Sequence, residues 1–152
     1  MAQALHWFEL PRFYAEVHRV LRDDGWLAAW SYGILQVEGD DVDRLVQRFY
    51  RNTIGPYWPA ERRHVESGYQ ELAFPFARIK APVFSMDVLW SRSALLGYAR
   101  SWSATAAFQQ LHGFDPVVQL DEDLVAVWGP ADAVRRVTWP LALLVGQLSA
   151  RQ

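Results

Sequence analysis

The stretch Asp24-Gly25-Trp26-Leu27-Ala28-Ala29-Trp30-Ser31-Tyr32 constrains this chain most. It opens on a turn signal and then runs apolar, with no polar residue before Ser31. A half-exposed strand alternates polar and apolar residues. A short unbroken apolar run after Asp-Gly reads instead as a strand covered on both faces, of the kind found inside parallel sheets. The stretch therefore predicts parallel neighbours on both sides, and the rest of the chain offers few candidates for them.

The segments around it have clear patterns. Residues Pro11–Arg22 read as a helix, with Leu10, Phe13, Tyr14, Val17, Val20 and Leu21 in one apolar stripe and Pro11 at its start. Arg12, Glu16 and Arg19 line the solvent side. Asp40–Asn52 is a second amphipathic helix, capped by Asp40, with Val42, Leu45, Val46, Phe49 and Tyr50 inward. Arg44, Arg48 and Arg51 share another of its faces, either as a solvated stripe paired with Asp40 and Asp41 or as an anion site. Gly55-Pro56-Tyr57-Trp58-Pro59 breaks that helix, and Ala60–Glu66 adds a further turn or two carrying Arg62, Arg63 and His64. Phe76–Leu89 is extended, with Phe84, Met86 and Val88 on one buried face. Three helices follow. One is capped by Ser91, one carries Ala104, Ala107, Phe108 and Leu111 and closes at Gly113, and one opens at Asp115-Pro116. Val134–Leu148 is the last strand, with Val137, Trp139, Leu141 and Leu143 on one face. The order is helix, strand, helices, strand, helices, strand: an α/β chain with about three strands.

Composition narrows the function. At 152 residues the chain can bury roughly two thirds of its unfolded surface as one domain, 1–152. A net charge of −2 and no basic run argue against a nucleic-acid partner. The absence of Cys excludes disulfides, zinc–thiolate sites and thiol nucleophiles, and agrees with a cytoplasmic setting. Met1–His6 has neither the basic start nor the apolar core of a signal peptide. No apolar run approaches the ~20 residues that span a bilayer, so no membrane partner is expected. Eight Trp fit either a large core or an apolar ligand cleft.

Familiar catalytic motifs do not occur. The sequence holds no G-x-G-x-x-G, no G-x-x-x-x-G-K-[ST] and no G-x-S-x-G. His6, His18, His64 and His112 lack metal-type spacing, and no metal is expected. His18 and His112 read as surface residues on helices. His6 sits among aromatics, where a hydrogen-bonded structural role and a catalytic one both stay open. Asp121-Glu122-Asp123 reads as a solvated face. Tyr57 and Trp58 beside Arg62 and Arg63 can hold a planar carboxylate or form a packed corner with two surface arginines.

The run Ala2-Gln3-Ala4-Leu5-His6-Trp7-Phe8, followed by a helix, Arg22-Asp23-Asp24-Gly25 and the strand Trp26–Tyr32, resembles class I S-adenosylmethionine-dependent methyltransferases. The trans-aconitate-methyltransferase-like group is the nearest in flavour, and the segment Tyr50–Tyr69 resembles that group's insertion between strands five and six. The resemblance implies the C-terminal portion of a Rossmann-like sheet, with residues 33–75 as a helical insertion forming a substrate lid. It implies S-adenosylmethionine as cofactor, with Gln3, Ala4, His6 and Trp7 at the cofactor-facing end of the fourth strand and Phe8 helping to wall the pocket. Tyr57, Trp58, Arg62 and Arg63 become the candidate contacts for a small-molecule acceptor, a carboxylate among the possibilities. The same resemblance places the family's glycine-rich loop, and its acidic ribose-binding residue, upstream of Met1. The expectation is then a methyltransferase-family chain that is inactive alone. The alternative is a non-enzymatic ligand-binding or dimerisation module derived from one. A homo-oligomer or a complementing chain would cover what the missing strands leave bare.

Overall fold

The computed structural model describes residues 1–148. The chain divides into two compact units.

The first unit comprises Met1–Ile34, Ala60–Met86 and, within the described residues, 139–148. Its helix α1 (Leu10–Val20) forms where the spacing predicts it, with Pro11 in the first turn. Tyr14 and Val17 are buried, and Leu10, Phe13 and Leu21 pack at the margin. Val20, expected on the same stripe, is exposed, because it is the last helical residue and the chain leaves the helix there. Asp24, at φ 62°, turns the chain into β1 (Trp26–Tyr32).

β1 does not have the expected neighbours. It pairs antiparallel with the C-terminal part of β5 (Val134–Gln147), from Trp26 opposite Gln147 to Tyr32 opposite Leu141. A single parallel bridge, Ala2 with Trp30, lies on its other side. Nor are both faces covered. Ala29 and Ser31 are fully buried, whereas Trp26 and Trp30 on the opposite face remain 50% and 40% exposed. An apolar run reports what a face tolerates rather than what covers it, and tryptophan often stays partly exposed.

The inward face carries the core of this unit: Leu5, Tyr14, Val17, Ala29, Val65, Tyr69, Phe76, Leu144 and Leu148. Each full burial of a large side chain here contributes about 1.5–3 kcal/mol. β3 (Ala77–Arg78) pairs with β5 at Gln147 and Gly146. A Cβ at Gly146 would stand 2.6 Å from the Phe76 Cβ and 2.7 Å from the Phe74 ring, so only glycine lets these two aromatics lie against the strand.

The second unit comprises Leu35–Pro59 and Asp87–Thr138. The two-residue β2 (Gln36–Val37) pairs with Thr138 and Val137 at the start of β5. In α2 (Asp40–Arg48) the cap position falls on Gly39, at φ 101°, and not on Asp40. The ordering carboxylate is Asp43, whose Oδ1 accepts the Val37 N–H at 2.9 Å. The helix does not run to Asn52 in α form. It widens into a π turn, Phe49–Thr53, closed by the Ile54 N–H on the Phe49 carbonyl at 3.0 Å. Arg44 binds Asp41 at 2.8 Å and Arg48 binds Asp123 at 2.6 Å, so two of the three stripe arginines are in ion pairs, neither of them with Asp40.

Helices α4 (Arg92–Arg100), α5 (Ser103–His112) and α6 (Val117–Trp128) complete this unit. Ser91 caps α4, its Oγ accepting the Ala94 N–H, and Gly113 closes α5 at φ 78°. α6 packs on α2 and α4 through buried Leu120, Leu124 and Trp128. Asp121, placed by the sequence on a solvated face, is held by Arg92 at 3.0 Å. Leu111, expected inward, is exposed near the end of α5.

β4 (Phe84–Ser91) pairs with β5, and Phe84 and Met86, expected on a buried face, are exposed. Along β5 itself Val137 and Trp139 are buried as predicted. After Pro140 the deepest burial moves to Leu144 and Gly146, on the opposite parity, leaving Leu141 and Leu143 half-buried. The described residues form a sheet of five strands, against about three expected: β1, β4 and β5 are long, and the two-residue β2 and β3 are too short to leave a pattern in the sequence.

Candidate functional site

The candidate site grows from the backbone of the first residues. The Trp30 N–H bonds to the Met1 carbonyl at 3.0 Å, and the Gln3 N–H to the Trp30 carbonyl at 2.8 Å. This short segment therefore runs parallel to β1 and delivers the chain at the strand's carboxyl end. Gln3 sits at φ 49°, a left-handed conformation that costs a non-glycine residue on the order of 1–2 kcal/mol. Its side chain offsets part of that cost, with Oε1 accepting the Tyr32 N–H at 3.0 Å. The 3₁₀ turn Leu5–Trp7 follows, sinking Leu5 into the core and leaving His6 half-buried and Trp7 exposed. The rings of His6 and Trp7 lie 4.8 Å apart.

Against this turn stands Tyr69, a residue that no pattern in the sequence singles out. It follows α3 (Arg62–Glu66) and is fully buried. The turn that places it has two left-handed residues in succession, Gly68 at φ 61° and Tyr69 at φ 63°. A Cβ at Gly68 would lie 2.9 Å from the Ala142 Cβ on β5. The Tyr69 N–H closes on the His64 carbonyl at 2.7 Å, which fixes the direction of the ring. The Tyr69 hydroxyl then meets His6 Nδ1 at 3.0 Å.

Charge surrounds the pair. Burial lowers the His6 pKa, and the neighbouring charges of Arg62 and His64 lower it further, against an opposing contribution from Glu61. Burial raises the Tyr69 phenol, although the backbone N–H groups of Leu5 and Ala4 facing its oxygen work the other way. His64 Nδ1 stands 3.7 Å from the Glu71 carboxylate, and Arg62 Nε 4.0 Å from Glu66.

Of the residues singled out in the sequence, Gln3, Ala4, His6 and Trp7 are brought together at the end of β1, with Arg62 on the electrostatic margin of His6. Arg63 is exposed in the same unit. Tyr57 and Trp58 belong to the other unit. There the Tyr57 hydroxyl meets His112 Nε2 at 2.6 Å, and the Trp58 ring packs on Tyr50 and Trp102 at 5.0 and 5.9 Å. Among the described residues no group of three His, Asp or Glu could hold a metal ion, and no helix is long and apolar enough to cross a membrane.

Comparison with known proteins adds the decisive observation. A solved structure from Anaeromyxobacter dehalogenans, provisionally titled a type II methyltransferase, superposes with a TM-score of 0.89 at 42% identity over 99% of this chain. The chain carries a class I S-adenosylmethionine-dependent methyltransferase-like fold. A Dictyostelium discoideum protein, named provisionally as a methyltransferase, is 31% identical over 97% of this chain. Both relatives are longer: the chain spans 58% of the Dictyostelium protein and 63% of the solved chain. No family model matches. The α/β architecture expected from the order of helices and strands and a Rossmann-like methyltransferase fold are therefore in place, in a chain related to a larger homologue.

Proposed function

We propose that the turn Gln3–Trp7 is the cofactor-facing part of a small-molecule methyltransferase site, and that this chain by itself does not turn over. The observation that carries the reading is the parallel segment that sets Gln3, Ala4, His6 and Trp7 at the carboxyl end of β1. In open α/β sheets, ligands bind in the crevice outside the carboxyl ends of the strands.

The residues present fit one portion of S-adenosylmethionine. Trp7 offers an exposed aromatic face, which attracts a sulfonium by about 0.5–2 kcal/mol. His6 beside it offers a ring nitrogen for a ligand oxygen. When bound, the cofactor supplies an electrophilic methyl group, and transfer by in-line displacement asks the protein mainly for alignment of the two reactants. Trp7 and His6 serve that alignment here, and Gln3 holds the turn to β1 through the Tyr32 N–H. Arg62 and Arg63 are the proposed contacts for a carboxylate acceptor, whose oxygen needs no general base to become a nucleophile. No glycine-rich loop of the kind that cradles the methionine part of the cofactor in the resembled family occurs in the sequence, which is why weak binding and no turnover are proposed.

The test is a calorimetric titration of S-adenosylmethionine into the chain and its Trp7→Ala variant. Saturable binding on the order of millimolar, equivalent to about 4 kcal/mol, and its loss in the variant support the reading. Binding that is indifferent to Trp7 contradicts it. A second reading, an association module, draws on the exposed Trp26 and Trp30 of β1. Sedimentation of the chain and its Trp26→Ser, Trp30→Ser double variant tests that reading, which expects a concentration-dependent dimer only in the former.

A further inference from the structure

We infer that Tyr69 is a positioning residue that holds His6 as an Nε2–H hydrogen-bond donor, aimed away from the core toward a carboxylate oxygen of the bound ligand. The inference rests on the cofactor-facing role proposed for Gln3–Trp7 and adds a direction to it.

The Tyr69 oxygen lies 3.0 Å from His6 Nδ1, and among the described residues that nitrogen is the one hydrogen-bond acceptor of the buried hydroxyl. Burial keeps the phenol protonated, a buried O–H needs an acceptor, and Nδ1 is the acceptor within reach. A hydroxyl that donates to Nδ1 makes Nδ1 the acceptor, and neutral imidazole then carries its proton on Nε2. Burial and the adjacent Arg62 and His64 favour the neutral ring, with Glu61 as the opposing charge. Nε2 lies across the ring from Nδ1 and so points away from Tyr69. Among the described residues Tyr69 is the one hydrogen-bond partner of His6.

Two features show that this arrangement is built. Tyr69 is held at φ 63°, a conformation that costs a bulky residue free energy, and its ring is fully buried although it bears a polar end. The turn needs glycine at position 68, which sits at φ 61° and where a Cβ would stand 2.9 Å from the Ala142 Cβ. Arg62, whose charge reaches the His6 ring, suits an anion beside the Nε2–H donor. The ligand chemistry is therefore a carboxylate, carried either by the amino-acid end of the cofactor or by the methyl acceptor.

The experiment is nitrogen NMR of the imidazoles in the labelled full chain, above the pH at which His6 titrates. The wild type is expected to show protonated Nε2 and an Nδ1 resonance displaced by an accepted hydrogen bond. Tyr69→Phe, which keeps the ring and its packing, is expected to lose that displacement and relax toward a mixture of tautomers. S-adenosylhomocysteine and tricarballylate are then titrated separately. A shift of Nε2 with the first assigns the cofactor's carboxylate, and a shift with the second assigns the acceptor's. Either supports the donor role when its affinity falls about tenfold in Tyr69→Phe. A protonated Nδ1 in the wild type, or identical spectra in Tyr69→Phe, overturns the inference while leaving the Trp7 calorimetry untouched. Binding of either titrant with Nε2 unmoved overturns the donor role. A wild type that binds neither titrant, with no Trp7-dependent heat, overturns the donor role together with the cofactor reading beneath it.

Discussion

Two tyrosine–histidine pairs among the described residues differ in everything except their chemistry. In the first unit Tyr69 and His6 meet at 3.0 Å, with Tyr69 fully buried on a left-handed turn. In the second, Tyr57 and His112 meet at 2.6 Å, with His112 exposed at the end of α5 and the Tyr57 ring edge-on to Phe108 at 5.2 Å. The shorter hydrogen bond belongs to the pair with less control over its surroundings. Solvent competes for both partners at His112, whereas the buried pair can exchange neither partner for water without a penalty. A hydrogen bond between titratable groups is therefore weak evidence of function by itself, and burial, backbone strain and surrounding dipoles decide which pair is a device.

Substitutions can break that contrast. The largest effect is expected at Tyr69→Ala, which empties a buried aromatic site and costs about 3–5 kcal/mol in chemical denaturation. Tyr57→Ala, at a half-buried ring, costs less than half as much, and equal losses would erase the distinction. Gly68→Ala comes next at about 1–3 kcal/mol, because it adds a Cβ to a left-handed residue 2.9 Å from the Ala142 Cβ. Tyr69→Phe removes one hydroxyl and leaves Nδ1 of His6 without its donor, an expected loss of about 1 kcal/mol, while Tyr57→Phe stays within about 0.5 kcal/mol.

The smallest effect is the pH dependence of stability. The His6 pKa is lowered in the folded chain from the ordinary 6.5, chiefly by burial. The unfolded chain therefore binds the proton more readily, and stability contributed by neutral His6 is present above 6.5 and lost as the pH falls through the lower folded value. His6→Gln is expected to flatten the stability profile below pH 6.5. A wild type that gains stability on acidification through that range, with the variant flat, would reverse the sign.

How much of this was legible in the sequence depended on what kind of rule each feature obeys. Periodicity located α1, and Ser91 and Gly113 marked helix ends because caps are local chemistry. Asp40 and Asp43 were indistinguishable by type, and only the position of β2 made Asp43 the useful carboxylate. The exposed faces of Trp26, Trp30, Phe84 and Met86 were read as covered because an apolar pattern carries no information about what lies against it. Gln3, Ala4, His6 and Trp7 are singled out by resemblance alone, and they lie on one short segment at the end of β1. Tyr69 was missed because a tyrosine at positive φ contradicts its own propensity. The one available hint, Ser67-Gly68 after a short helix, marks a turn without saying what the turn presents.

The most direct test follows indole resonances of the tryptophan-labelled chain as S-adenosylmethionine is added. The account predicts a saturable shift at Trp7, on the exposed edge of the first unit, while Trp58, packed on Tyr50 and Trp102 in the second, stays in place. A saturable shift at Trp58 with Trp7 unmoved would contradict the assignment of the cofactor-facing turn.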